Sequence, residues 1–228
     1  MLGRQMNLQV ALGVVPGVTA VIGSGGKTTL LRELARELAA AGPTVALATS
    51  TRILPFADVP TVCGADEDEL RRALAKSGVV CVGEPAEKGK LAAPSLELAR
   101  LAEAADHVLV EADGSKRLPL KAHAAWEPAV PRESVRTILV VGAGGFCRPG
   151  SEAVHRPEIF CRLAGCTPDD AATPELVALV IAAESLADQV VVNQAEEPAA
   201  LAAARQLAAL LDVPVFAGSI RNHDLKAL

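Results

Sequence analysis

The sequence predicts an α/β fold, one domain over residues 1–228 built on a mostly parallel sheet flanked by helices. Short β-branched runs alternate with longer segments rich in Ala, Leu, Glu and Arg, which is the pattern of repeated strand–helix–strand units. The chain has 228 residues, 50% of them apolar, enough for one large core. A strand candidate near the start runs directly into a turn of small residues and then into a helix.

Taken in order, residues 18–22 form an apolar strand, and residues 28–41 carry apolar side chains at helical spacing until Gly42-Pro43 stops them. Residues 44–49 are the next strand. Strands at 59–63 and 79–83 flank a charged amphipathic helix at 66–77. A helix at 94–105, with Pro94 in its first turn, leads to a strand at 107–111. Strands at 137–141 and 189–193 enclose helices at 152–163 and 173–186, and a last helix at 198–211 precedes a strand at 213–217. Ligands of open parallel sheets gather at the carboxyl ends of the strands. That rule points to the loops 23–28, 49–55, 111–121, 142–150 and 193–197.

Composition narrows the function. With 22 Lys+Arg against 27 Asp+Glu the net charge is −5, whereas a general nucleic-acid binder is usually basic. Aromatics make up 2% with no Tyr, so platforms for base stacking lack material. The five cysteines are scattered and odd in number, which fits a reduced, cytoplasmic setting. Arg4 and the apolar run 10–15 imitate a secretory leader, but Pro16-Gly17 breaks the run, and no apolar stretch approaches the roughly 20 residues that cross a bilayer.

The strongest local signal is residues 18–31, VTAVIGSGGKTTLL. Gly23, Ser24, Gly25 and Gly26 form a turn ahead of a helix that begins at Lys27-Thr28-Thr29, so free backbone N–H groups and the positive helix end face one concavity. A polyphosphate is the natural guest, with Lys27 reaching its outer oxygens and Thr28 holding Mg²⁺. Val21 stands where the common form of this loop has its first Gly, and the shorter G-x-x-G-K-T-T resembles the loop of Mur-ligase-type ATPases. The fold expectation sharpens to a three-layer sandwich of the P-loop NTPase kind.

About 85 residues later, DHVLVEADGS at 106–115 ends an apolar strand in Glu111 and Asp113, where a P-loop enzyme orients metal or attacking water. Glu111-Ala-Asp-Gly114 also matches an E-x-x-G pattern of GTPases that deliver metals and cofactors. Asn193 closes a late strand as in the guanine-reading N-K-x-D, but Gln194 and Glu196 replace its Lys and Asp, so the nucleotide stays ATP or GTP. Thr49, Thr51 and Arg52 close the strand beside the glycine turn and suit Mg²⁺ or a bound anion. Lys116, Arg117, Lys121 and His123 follow the carboxylates; with His155 and Arg156 they suggest contacts to a second anionic ligand, the alternative being a solvated basic loop. Cys161 and Cys166 match no standard zinc spacing.

These segments carry a family resemblance. IGSGGKTTLL, TSTRILP, VEADGSKRLPLKAH and AVHRPE resemble the YqeC family over roughly residues 10–220, most specifically from Glu111 to Lys121. The family is described as accessory proteins of selenium-dependent hydroxylases. The resemblance implies a P-loop NTPase fold, a role in maturing a molybdenum–selenium enzyme, and a client hydroxylase or molybdopterin-type ligand as partner. Three readings stand: an NTP-hydrolysing or phosphoryl-transferring enzyme using Lys27, Glu111 and Asp113; a nucleotide-gated module that docks a client; or a small-molecule kinase.

Overall fold

The computed structural model describes residues 7–228; Arg4 lies outside the described residues. The helices are α1 (Leu8–Ala11), α2 (Lys27–Ala40), α3 (Glu67–Ser77), α4 (Leu98–Ala104), α5 (Gly150–Ala153), α6 (Pro157–Ala164), α7 (Pro174–Glu184) and α8 (Pro198–Ala208). In the first half of the chain the strands are β1 (Gly17–Gly23), β2 (Val45–Thr49), β3 (Arg52–Ile53), β4 (Thr61–Val62), β5 (Val79–Val82), β6 (Glu84–Ala86) and β7 (Lys90–Ala92). The remainder are β8 (His107–Glu111), β9 (Leu120–Lys121), β10 (Ser134–Gly142), β11 (Val154–His155), β12 (Gln189–Asn193), β13 (Val215–Ser219) and β14 (Asp224–Ala227).

Nine strands make the central sheet, in the order β14-β13-β12-β10-β1-β8-β2-β5-β4. Every pairing in it is parallel except β13 with β14. Strands covered on both faces have no polar side to show, which is why β2, β8 and β12 read as continuous apolar runs rather than alternating ones. On one face Leu30, Leu31, Leu34 and Leu38 of α2 bury completely against Val21, Leu47, Leu109 and Val140. On the other, α3 and α4 cover one half of the sheet and α6, α7 and α8 the other half. The result is the three-layer α/β sandwich that the sequence predicts.

Local chemistry sets the ends of these helices. Asp66 caps α3 by accepting from the N–H groups of Asp68 and Glu69, and Thr173 caps α7 at Leu176 with Pro174 in the first turn. Two predicted helices are corrected. The helix expected at 94–105 begins only at Leu98, because Glu84 draws the preceding segment toward β6 by accepting from Ser95 N–H at 3.2 Å. The helix expected at 152–163 is broken into α5 and α6. Between them Val154 and His155 pair with Leu120 and Lys121, and Arg156 takes a left-handed conformation at φ 67°. Pro157 explains the break, since its ring disfavours helical geometry in the residue before it. A small antiparallel sheet, β3-β7-β6, and the antiparallel edge strand β14 add to the predicted set.

Candidate functional site

Strand order assembles the site. β1 lies between β10 and β8, and β8 lies between β1 and β2, so the loops that leave their carboxyl ends share one rim. Glu111 stands opposite Val21 on one side and Thr49 on the other. The glycine turn, the acidic strand end and the Thr49–Arg52 segment therefore meet, although about 85 residues of chain separate the first two.

The turn requires glycine at three points; at the first, Gly23 has φ 88° and a Cβ would sit 2.3 Å from the Val140 carbonyl oxygen. Gly25 has φ 84°, and a Cβ there would sit 2.4 Å from the Gly142 Cα; Gly26 has φ 147°, and its Cβ would sit 2.3 Å from Asn193 Nδ2. L-residues with side chains rarely adopt any of these φ values. Asn193 in turn pins the loop: its Nδ2 donates to the Gly25 carbonyl at 2.8 Å, and its Oδ1 accepts from Ile220 N–H at 3.1 Å. Asn193 is thus committed to the backbone, and both it and Gln194, the latter in a left-handed conformation, line the open cleft.

Lys27 opens α2 and is almost fully buried. Its Nζ donates to the Gly23 carbonyl at 2.6 Å and lies 3.1 Å from Asp113 Oδ1 and 4.0 Å from Glu111 Oε1. Thr28 Oγ1 donates to Glu111 Oε2 at 3.0 Å. Thr49 Oγ1 donates to the Glu111 carbonyl and is 3.3 Å from Thr51 Oγ1.

Asp113 is wholly buried. It accepts from Gly23 N–H at 2.8 Å, His123 Nε2 at 2.8 Å and Lys121 Nζ at 3.0 Å, besides facing Lys27. Burial favours its neutral form, but the His123 bond and the two ammonium groups outweigh burial and hold the carboxyl far below the usual range. Burial lowers the His123 pKa, and its contacts to Asp113 and Glu184 more than reverse that, so the ring stays protonated to higher pH and donates at both nitrogens. Glu184, at the end of α7, takes both the His123 ring proton at 2.7 Å and the His123 peptide N–H at 2.6 Å. Glu111 behaves oppositely to Asp113: burial raises its pKa against the pull of Lys27 and Thr28.

A cleft of about 1140 Å³ opens over these groups. Of the residues read from the sequence, Gly25, Gly26, Lys27, Thr28, Thr29 and Glu111 line its inner half. Thr51, Lys116, Arg117, His155 and Arg156 line it as well. Gly23, Ser24 and Asp113 stand behind the lining. The Ser24 hydroxyl donates to the Leu118 carbonyl and thereby ties the turn to the loop after β8.

Lys121, expected to face a second ligand, is only 1% exposed in its side chain and is held by Asp113, Glu127 and the Gly114 carbonyl. His155 is buried with Nδ1 unpartnered, and burial together with the Arg156, Lys121 and Lys116 charges lowers its pKa. Glu127, Glu184 and Arg52 complete the surroundings. Of these, only Arg52 had a sequence signal, its place beside the glycine turn.

Strand order, glycine turn and lysine-led helix together define an α/β protein of the P-loop kind. The model of the family described as YqeC protein matches residues 19–158. A protein of Escherichia coli strain K12 described as "Uncharacterized protein YqeC" is 37% identical over 174 residues, which cover 72% of this chain and 68% of that one. The chain belongs to the YqeC family. Among solved structures it is similar to chloroplast FtsY from Physcomitrella patens, with TM-score 0.49, 17% identity, and coverage of 100% of this chain and 67% of that one. It is also similar to the signal recognition particle receptor FtsY of Elizabethkingia anophelis in complex with GDP, with TM-score 0.47, 19% identity, and coverage of 93% and 60%. No helix among the described residues is long and apolar enough to cross a membrane.

Proposed function

We propose that the protein binds the triphosphate of ATP or GTP together with Mg²⁺ and hydrolyses or transfers its terminal phosphoryl group, in the service of cofactor assembly or insertion in a selenium-dependent molybdenum hydroxylase. One observation carries the nucleotide reading: the glycine turn, the buried Lys27 and the Thr28–Glu111 pair face one cleft. Backbone N–H groups at the start of α2 suit phosphate oxygens, and Lys27 adds a positive charge that a γ-phosphate can draw away from Asp113. The tie to a hydroxylase rests on family membership.

Thr28, Thr51 and Glu111 offer only oxygen donors, the type that Mg²⁺ accepts along with phosphate oxygens and water, so the residues fit the ion. Bound there, it would neutralise charge that builds on the phosphates during transfer. The protein's own part is positioning. Lys27 holds the outer phosphate, the turn amides hold the inner ones, and Glu111, with its raised pKa, orients the attacking oxygen.

A second reading, a nucleotide-gated docking module, draws support from the chain Lys27–Asp113–His123–Glu184. A phosphate that takes Lys27 would change the field on Asp113 and, through His123, the end of α7. Thermal denaturation with Mg·ATP and Mg·GTP tests binding, since a ligand at 100 times its Kd adds about 2.7 kcal/mol to apparent stability. Lys27→Ala should lose that shift for both nucleotides, while Glu111→Gln should keep the shift and lose phosphate release. Wild-type hydrolysis in both variants would refute the enzyme reading. Phosphate release that rises only with a client hydroxylase would favour the docking module.

A further inference from the structure

The cleft is larger than a triphosphate tail needs, and its charge is lopsided. Its lining carries the cations Lys27, Arg52, Lys90, Lys116, Arg117 and Arg156 against the carboxylates Glu111 and Glu127. Lys27 and Arg156 already face carboxylates, Asp113 and Glu127. Arg52, Lys90, Lys116 and Arg117 form no ion pair among the described residues. In a chain of net charge −5, four unpaired cations on one cleft wall are not explained by a solvated surface of mixed sign.

Their place in the sheet separates them from the glycine turn. Arg52 follows β2, Lys90 belongs to the small sheet that follows β5, and Lys116 and Arg117 follow β8. These strands all lie on one side of β1, and Asn193 and Gln194 leave β12 on the other. A nucleotide whose phosphates sit on the turn at β1 has room for its base toward β12, and the cationic wall remains free. Lys116 and Arg117 both hold left-handed backbone, φ 48° and 62°, a conformation that costs free energy in residues with side chains.

At the same rim stands Trp126, 77% exposed, with the Arg156 guanidinium 5.9 Å from its ring centre. It is the single Trp of the chain. Its neighbours Glu127 and Arg156 both line the cleft, and Lys121 anchors Glu127 from below at 2.8 Å. A large aromatic side chain held by a cation beside a basic wall is the equipment for a ligand with both a flat ring and a phosphate.

We propose that the half of the cleft formed by Arg52, Lys90, Lys116, Arg117 and Arg156, with Trp126 beside Arg156 at its edge, is a second-ligand subsite for a phosphorylated small molecule with a planar ring. The proposal rests on reading the glycine turn as the triphosphate half, because it is the remaining half that needs an occupant.

The experiment titrates the full chain, saturated with the non-hydrolysable ATP analogue AMP-PNP and Mg²⁺, with cytidine 5′-monophosphate, guanosine 5′-monophosphate and flavin mononucleotide. Isothermal calorimetry reads binding, and for the two monophosphates Trp126 emission reads it independently, since no other Trp contributes. Ribose 5-phosphate and free cytidine separate the phosphate and ring contributions. At least one ring phosphate should bind and bind more tightly than either half-molecule. The double variant Lys116→Ala/Arg117→Ala should lose about tenfold or more in that affinity, as expected for lost charge-assisted hydrogen bonds, with the AMP-PNP affinity unchanged. Trp126→Leu, read by calorimetry, should weaken the ring compounds and leave ribose 5-phosphate alone. The proposal falls if none of the three ring phosphates binds, or if the double variant binds them as the wild type does. AMP-PNP is titrated first by itself: no binding there, with ring phosphates still lost in the double variant, would refute the triphosphate assignment and leave the basic wall standing.

Discussion

Replacing Asp113 by Asn removes one negative charge and almost no volume, and the structure sets the size of the effect. The carboxylate is fully buried and faces Lys27 at 3.1 Å, Lys121 at 3.0 Å and His123 at 2.8 Å. The amide can still accept from Gly23 N–H, but its NH₂ group would confront a donor. Breaking a buried charge arrangement by neutralising one member costs about 3–5 kcal/mol. For a chain of this length each kcal/mol moves the melting temperature by about 2–4 °C, so Asp113→Asn should melt roughly 6–20 °C below wild type. Urea denaturation followed by circular dichroism measures the loss directly. The companion Lys27→Met/Asp113→Asn variant should recover part of it, because one orphaned cation is gone. A loss below about 1 kcal/mol, or additive effects in the double variant, would refute the claim that Asp113 is the electrostatic centre under the glycine turn.

Other outcomes follow from the same contacts. Asn193→Ala removes the clamps on the Gly25 carbonyl and Ile220 N–H and should cost about 1–3 kcal/mol, read by thermal denaturation, with weaker Mg·ATP binding. Gly26→Ala should fold poorly or lose nucleotide binding altogether, because its Cβ meets Asn193 at a φ of 147°; circular dichroism and calorimetry distinguish the two. His123 has a raised pKa when folded, so the stability it contributes is full below the ordinary histidine value of about 6.5 and is lost as pH rises through the folded value. Wild-type stability in urea should therefore fall, relative to His123→Gln, as the pH rises above about 6.5. Leu34→Ala, at a fully buried position of α2, should cost about 2–5 kcal/mol.

The parallel sheet was legible because β2, β8 and β12 must be apolar on both faces, and few other structures ask for such runs. The glycine turn was legible because Gly25 and Gly26 occupy backbone that other residues avoid. The small sheet was not, since Arg52–Ile53 and Glu84–Ala86 are too short and too mixed in polarity to show a period. The break at 154–156 was visible in Pro157 but was overridden by the helical spacing around it. At the site, the basic residues after Asp113 were readable as a cluster, but not as two populations. Lys121 and His123 turn inward to neutralise Asp113, and Lys116 and Arg117 stay outside. Glu184, 61 residues from His123, has no local pattern that announces its role, because folding alone brings α7 to that histidine.

The location of Glu184 and Asn193 bears on how this protein can be divided. Both lie beyond residue 158, where the family match ends, yet one supplies the counter-charge to His123 and the other fastens the glycine turn. A fragment cut at that border would keep the whole G-S-G-G-K-T signature and forfeit two of its struts, along with β12, β13 and β14. The minimal functional unit is therefore set by tertiary support and extends well past the last recognisable motif.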